Sequence, residues 1–251
     1  VDALTALRRA PATTALFLDY DGTLAPIVAN ADEARPLPGV SDLLLELQRS
    51  FGVVAVVSGR PVDYLRQHLP SAVELHGLYG LETVVDGQLS HHPEAEGWRS
   101  VVDDVDHDAR QNGPAGVDVE HKGLSLTLHY RRRPEVAPGA STWAAEAAAR
   151  TGLRLRRAKM SIELHPPVGV DKGTVVETRS AGMTAACYIG DDEGDLPAFA
   201  ALDRLARQGL ATLKVAVRTQ ESAAELVAQA DLEVDGPEGA VALLRGLLDA
   251  P

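Results

Sequence analysis

The chain has 251 residues, 45% of them hydrophobic, and its 24 Lys plus Arg against 36 Asp plus Glu leave a formal net charge of −12. That length admits one large domain or two small ones. The acidic balance argues against a general nucleic-acid binder, which needs a basic field, although a local basic cluster can still hold an anionic substrate once salt screens the rest. The single cysteine, Cys187, lies in an apolar run and permits no intramolecular disulfide. No apolar run approaches the roughly 20 residues that span a bilayer, and no signal-peptide pattern opens the chain. A cytoplasmic protein without membrane or nucleic-acid partners is expected.

In chain order, the first third alternates strand and helix. Ala15–Leu18 predicts a buried strand, and it runs into Asp19-Tyr20-Asp21-Gly22-Thr23. Val40–Arg49 carries apolar residues at 40, 43, 44 and 47, a helical spacing, with Ser41 as a cap near its start. Val53–Val57 is β-branched, hence a buried strand, and leads through Ser58-Gly59-Arg60 to Pro61, where a helix over 61–68 begins. Val73–Leu75 predicts a further short strand. This is the grammar of an open, mostly parallel sheet.

Near residue 83 the grammar changes. Asp86-Gly87 within Thr83–Leu89 signals a hairpin. Trp98–Arg110 reads as an acidic helix, Val117–Arg131 as one long extended segment, Glu135–Arg150 as an Ala-rich helix and Leu153–Leu164 as extended again. An α+β lobe over 88–165 is therefore expected, inserted into a core made of 1–87 and 166–251. Parallel grammar then returns. Helices are expected over Gly173–Ser180, Leu196–Leu202, Ser222–Gln229 and Ala240–Leu248. Between them, Ala185–Ile189, Leu213–Val217 and Asp231–Val234 read as strands.

The chemistry concentrates at two strand ends. Asp19 and Asp21 lie two apart after an apolar strand, so on extended backbone their carboxylates would converge. Like charges that close need a cation or a shared proton. Asp191, Asp192 and Asp195 follow a second apolar strand, and five carboxylates make a hard oxygen site suited to Mg²⁺. Ligands of open α/β sheets bind beyond the carboxyl ends of strands. The Ser58 hydroxyl and the N–H groups of the Ser58-Gly59-Arg60 turn, at a helix N-terminus, suit phosphate oxygens. Lys172, also before a helix, would neutralise phosphate and hold a carboxylate in place.

DYDGTL, SGR, DKG and GDDEGD, in that order, resemble the four motifs of the haloacid-dehalogenase-like phosphatases. The resemblance implies a Rossmann-like core with a mostly parallel sheet, plus an inserted α+β cap. It implies Asp19 as nucleophile, Asp21 as general acid and base, and catalytic support from Ser58 and Lys172. It also implies Mg²⁺ held by the Asp19 and Asp191 side chains, the Asp21 carbonyl and a water on Asp195. VEHKGLSLTLHYR (119–131), KMSIELHPPVGVDKG (159–173) and GLYGLE (77–82) resemble trehalose-6-phosphate phosphatases. That narrower likeness implies a sugar-phosphate substrate, trehalose 6-phosphate, and functional pairing with a trehalose-6-phosphate synthase. It implies sugar contacts from Glu120, Lys122, Arg131, Lys159 and Glu163, while His121, His129 and His165 read as structural. Tyr79 stands where the family commonly has His, and Gly194 and Leu196 replace a hydroxyl and an acid of its fourth motif. The rival readings are a phosphatase for another disaccharide or pseudo-disaccharide phosphate or for sucrose 6-phosphate, a phosphotransferase, and a non-catalytic sugar-phosphate binder that regulates a partner.

Overall fold

The structure is a computed structural model that describes residues 3–28, 33–158, 160–219 and 222–249. First comes a short helix, α1 (Ala3–Arg9), which buries Leu7 in the core. Then follow β1 (Thr14–Leu18), α2 (Val40–Ser50), β2 (Val53–Val57), α3 (Val62–His68), β3 (Glu74–Gly77), and the hairpin β4 (Glu82–Val85) and β5 (Gln88–His91). Next come α4 (Pro93–Glu96), α5 (Arg99–Asn112), β6 (Asp118–His121), β7 (Leu126–His129), α6 (Ala137–Thr151), β8 (Arg154–Ala158) and β9 (Ser161–His165). The chain closes with α7 (Lys172–Arg179), β10 (Ala185–Gly190), α8 (Leu196–Arg207), β11 (Ala211–Arg218), α9 (Ala224–Gln229), β12 (Leu232–Asp235) and α10 (Gly236–Leu248).

Two compact units result, one of Val1–Ser90 with Val170–Pro251 and the other of His91–Gly169. The first is built on an eight-stranded sheet in the order β12-β11-β10-β1-β2-β3-β4-β5. From β12 to β3 neighbouring strands pair in parallel, and β4 turns antiparallel on β3. Every residue of β1, β2 and β10 is buried, which is why these strands read as continuous apolar runs rather than alternating ones. On one face Leu16, Leu18, Val54, Val56, Cys187 and Ile189 pack with α2, α3 and α10. On the other, Phe17, Val53, Val57 and Tyr188 pack with α7, α8 and α9. Cys187 is a core residue whose thiol burial pushes out of the reactive range. Helix α2 begins without the expected serine cap, because the residue before it is Gly39 at φ +82.

The second unit is a four-stranded antiparallel sheet, β6-β7-β9-β8. Two extended segments expected from the sequence are hairpins instead. Val117–Arg131 folds back at 122–125, where the Lys122 N–H donates to the Ser125 carbonyl and Gly123 takes φ +80. In Leu153–Leu164, β8 pairs antiparallel with β9, and Met160 between them takes φ +55. The apolar positions shift from odd to even at each turn, from Val117 and Val119 to Leu124 and Leu126 and from Leu153 and Leu155 to Ile162 and Leu164, so a break in period 2 marks both hairpins. Leu126, Leu128, Ile162 and Leu164 form one face of this sheet and pack with Val102, Val105, Ala140 and Ala144 of α5 and α6. The opposite face is polar.

Candidate active site

β1 and β10 are adjacent parallel strands, so the residues after Leu18 and after Gly190 leave the sheet at the same edge. The chain also reverses its winding direction there, passing to β2 on one side and to β11 on the other. The Asp19 N–H donates to the Ile189 carbonyl at 2.9 Å, which ties the two strand ends together. Lys172 arrives as the first residue of α7, behind a capping box between Asp171 and Thr174. Gly173 lets that helix end approach closely, since a Cβ there would sit 2.4 Å from the Pro197 carbonyl oxygen.

These elements bring together one buried ammonium and three buried carboxylates. Lys172 Nζ donates to Asp19 Oδ1 at 2.7 Å and to Asp195 Oδ1 at 2.6 Å. Asp195 is fully buried and accepts four hydrogen bonds, from Lys172, the Tyr188 hydroxyl and the N–H groups of Asp191 and Asp192. A carboxylate has about four lone-pair sites, so those of Asp195 are taken. Asp191 is the reverse case. It is 3% exposed, and among the described residues no donor reaches its carboxylate. Gly22, at φ +79, makes room for that carboxylate, because a Cβ there would lie 2.2 Å from it.

The charges do not balance. Burial, then the neighbouring Asp19 and Asp195, push the Asp191 carboxyl up to about 10. Burial also drives Asp19 well above the usual carboxylate range, against the pull of Lys172. The ammonium, in spite of burial, is held well above its own usual value by Asp19 and Asp195. Asp19, Asp191 and Asp195 each offer an oxygen within 4.8 Å of the others. Hard oxygen donors, an excess of negative charge and a donor-free buried carboxylate are what a divalent cation relieves, so the residues present fit Mg²⁺.

Asp21 is not part of this cluster. The strand ends at Leu18 and the backbone bends at Tyr20, so alternation does not carry across. The Asp21 carboxylate instead takes two bonds from Arg60, Nε to Oδ2 and Nη2 to Oδ1, both 2.8 Å. Arg60 also lies over the Tyr64 ring, 4.5 Å from its centroid. The Arg60 guanidinium is thus engaged by the acid/base candidate; the phosphate expectation from the sequence concerned the backbone N–H groups of its turn, not this side chain. Ser58 is buried after β2, and its Oγ accepts the Arg60 N–H at 3.1 Å. A Cβ at Gly59 would lie 2.8 Å from the Tyr79 hydroxyl. Leu78 and Tyr79 both hold positive φ, at 48° and 61°, a strained pair of non-glycine residues beside the site. The Tyr79 ring faces Lys172 Nζ, 5.8 Å from its centroid. Gly194, in place of a hydroxyl residue, donates its N–H to Asp192 Oδ1, and Leu196 opens α8.

Within the second unit, several sequence-chosen residues share the polar sheet face. The buried Glu163 carboxylate accepts the Ser125 hydroxyl at 2.7 Å and Arg156 Nη1 at 3.2 Å. Burial alone would raise Glu163, but Lys122, Arg156 and Ser125 hold it below the usual carboxylate range. Glu120 Oε2 pairs with His129 Nε2 at 2.7 Å and lies 3.7 Å from Lys122 Nζ. Arg131 sits in the turn after β7, half-buried, while Arg132 and Arg133 are exposed. Lys159 lies outside the described residues. His121 pairs with Asp103 at 2.8 Å, and His165 Nδ1 lies 2.9 Å from the Pro166 carbonyl oxygen. Sequence reasoning passed over Tyr188, Ser125 and Arg156. Tyr188 had a signal, being a hydroxyl-bearing ring in an aliphatic buried strand. The other two are recognisable only once the strands are in register.

The trehalose-phosphatase family model matches residues 17–232. A trehalose-phosphate phosphatase of Mycobacterium leprae is 34% identical over 209 residues, covering 75% of this chain and 47% of that protein. A trehalose-6-phosphate phosphatase-related protein of Thermoplasma acidophilum is 29% identical over 191 residues, 75% of this chain and 82% of that one. The chain spans about half the length of the mycobacterial relatives it matches. A crystal structure of a trehalose-6-phosphate phosphatase related protein superposes with a TM-score of 0.78 at 26% identity, over 93% of this chain and 96% of that one. A haloacid dehalogenase-like hydrolase from Bacteroides thetaiotaomicron shares the fold, with a TM-score of 0.63 at 16% identity over 93% and 99% of the two chains. The family model covers most of the chain, the crystal structure shares its architecture, and the four ordered motifs lie in the matched span: the chain belongs to the trehalose-phosphatase family.

Proposed function

We propose that the chain is a Mg²⁺-dependent phosphatase that hydrolyses trehalose 6-phosphate to trehalose and phosphate through an aspartyl-phosphate on Asp19. The observation that carries this reading is the buried cluster of Asp19, Asp191, Asp195 and Lys172, with Asp191 lacking any donor among the described residues. Asp19 and Asp191, with the Asp21 carbonyl, would hold Mg²⁺, which when bound offsets the repulsion between carboxylate and phosphate. Asp195, its acceptor sites filled, serves by holding Lys172 and the 190–192 backbone in place. Asp19 attacks phosphorus as the bond to the sugar oxygen breaks, and Asp21 gives that oxygen a proton. Water then attacks the aspartyl-phosphate and returns a proton to Asp21. Splitting one displacement into two is the logic of nucleophilic catalysis. Both proton transfers require Asp21 to release at least one of its two Arg60 bonds. Ser58, Gly59 and Lys172 receive the phosphoryl oxygens.

The inserted unit, His91–Gly169, acts as the cap, and its Glu120, Lys122, Arg131, Lys159 and Glu163 read the sugar. Charge-assisted bonds to hydroxyls are strong and directional. The test is phosphate release across a panel of sugar phosphates, with Mg²⁺ and with chelator. Fastest metal-dependent release from trehalose 6-phosphate is expected. Preference for sucrose 6-phosphate would move the assignment to that substrate, and no release from any ester would leave a sugar-phosphate binder. Asp19→Asn is expected to abolish turnover while the protein stays folded by circular dichroism; turnover near wild type would remove Asp19 as the nucleophile.

A further inference from the structure

The polar face of the second unit carries one row of side chains that crosses all four strands. Glu120 on β6 stands opposite Thr127 on β7, Thr127 opposite Glu163 on β9, and Glu163 opposite Arg156 on β8. Residues directly opposite one another share a face, and neighbouring strands lie about 4.8 Å apart. Thr127 is therefore the middle of the row, with a carboxylate on either side. The flanking groups are all engaged: Glu120 with His129, and Glu163 with Ser125 and Arg156. Thr127 differs. It is 3% exposed, and its Oγ1 is a buried polar atom without a hydrogen-bond partner among the described residues.

A buried hydroxyl left unmade is costly, and valine would fill the same strand position with the same shape and no such cost. Among the described residues the fold gives this oxygen no partner. The chemistry of the row states what would use it. Carboxylates only accept hydrogen bonds, whereas a threonine hydroxyl both donates and accepts. A phosphoryl oxygen, which only accepts, would be repelled by Glu120 and Glu163. A sugar hydroxyl can donate to one of the glutamates while accepting from Thr127, so a neutral polyol suits the row.

We propose that Thr127 is a further sugar-contacting residue, whose hydroxyl binds a substrate hydroxyl held between Glu120 and Glu163. This rests on the reading of the polar face as the sugar site. The test uses the full chain with saturating Mg²⁺, and compares Thr127→Val, Thr127→Ser and Glu163→Gln with wild type. The readouts are kcat/KM for trehalose 6-phosphate relative to p-nitrophenyl phosphate, and the melting temperature. Thr127→Val is expected to lower that ratio about tenfold, the scale of one hydrogen bond, mainly through KM, with a melting temperature equal to or above wild type. Thr127→Ser restores the ratio. An unchanged ratio in Thr127→Val overturns the proposal, and so does a lower melting temperature, which would make the hydroxyl a structural one. If Glu163→Gln leaves the ratio intact, the sugar-site reading fails. If Glu163→Gln lowers it and Thr127→Val does not, only the role of Thr127 fails.

Discussion

Asp191 shows how one residue can be costly for folding and useful for binding. Its carboxyl, pushed to about 10, holds a proton that the unfolded chain, with an ordinary value of about 3.9, releases at much lower pH. Between those values the native state binds more protons than the unfolded one, so this group's contribution to stability is greatest at low pH and drains away as pH rises toward 10. The metal-free protein should therefore lose melting temperature between pH 5 and pH 9, and saturating Mg²⁺ should flatten that decline. Asp191→Asn should raise the melting temperature of the chelated protein at pH 8 and abolish the gain from Mg²⁺. A variant that still gains as much as wild type would take Asp191 out of the metal site. Lys172 sits on the other side of the balance. Removing it strands Asp19 and Asp195 in the interior, and Lys172→Met should cost about 3–5 kcal/mol by urea titration as well as all turnover.

At the scale of elements, the site depends on how closely strand ends and helix ends approach. Gly22 carries two demands at once, a left-handed φ of +79 and a missing Cβ 2.2 Å from Asp191. Gly87, at φ +75 with nothing within 4 Å, carries only the first. Both alanine variants meet the left-handed penalty of about 1–2 kcal/mol. Gly22→Ala should cost clearly more than Gly87→Ala and should also lose Mg²⁺ affinity; equal costs would mean that Asp191 moves aside freely. Legibility also varied by element. The β-branched and apolar runs of β1, β2 and β10 announced themselves, because strands buried on both faces leave no room for polar residues. The turns at Gly123 and Met160 were quieter, because their mark is only a slip of the apolar positions from odd to even within an otherwise extended pattern. The bend at Tyr20 was invisible, and beyond it the Asp21 carboxylate pairs with Arg60.

For the whole molecule, the two units offer separate reporters. Both tryptophans, Trp98 and Trp143, are partly buried against the core of the His91–Gly169 unit, while the acidic cluster belongs to the other. A ligand stabilises what it binds by mass action, about 2.7 kcal/mol at a hundredfold excess over Kd. Mg²⁺ should thus raise the thermal transition seen by far-ultraviolet circular dichroism more than the one seen by tryptophan fluorescence. Equal shifts would show that the units unfold as one block. The α/β class, the strands that end at Asp19 and Asp191, and the family were all legible from the residues alone, because each is written in local pattern and motif order. The folded arrangement was needed to see that Asp195 is saturated while Asp191 has no donor among the described residues, that Arg60 holds Asp21, and that Glu120, Thr127, Glu163 and Arg156 share one row. Hydrogen-bond capacity and strand register arise between residues far apart in the chain, and no local pattern encodes them.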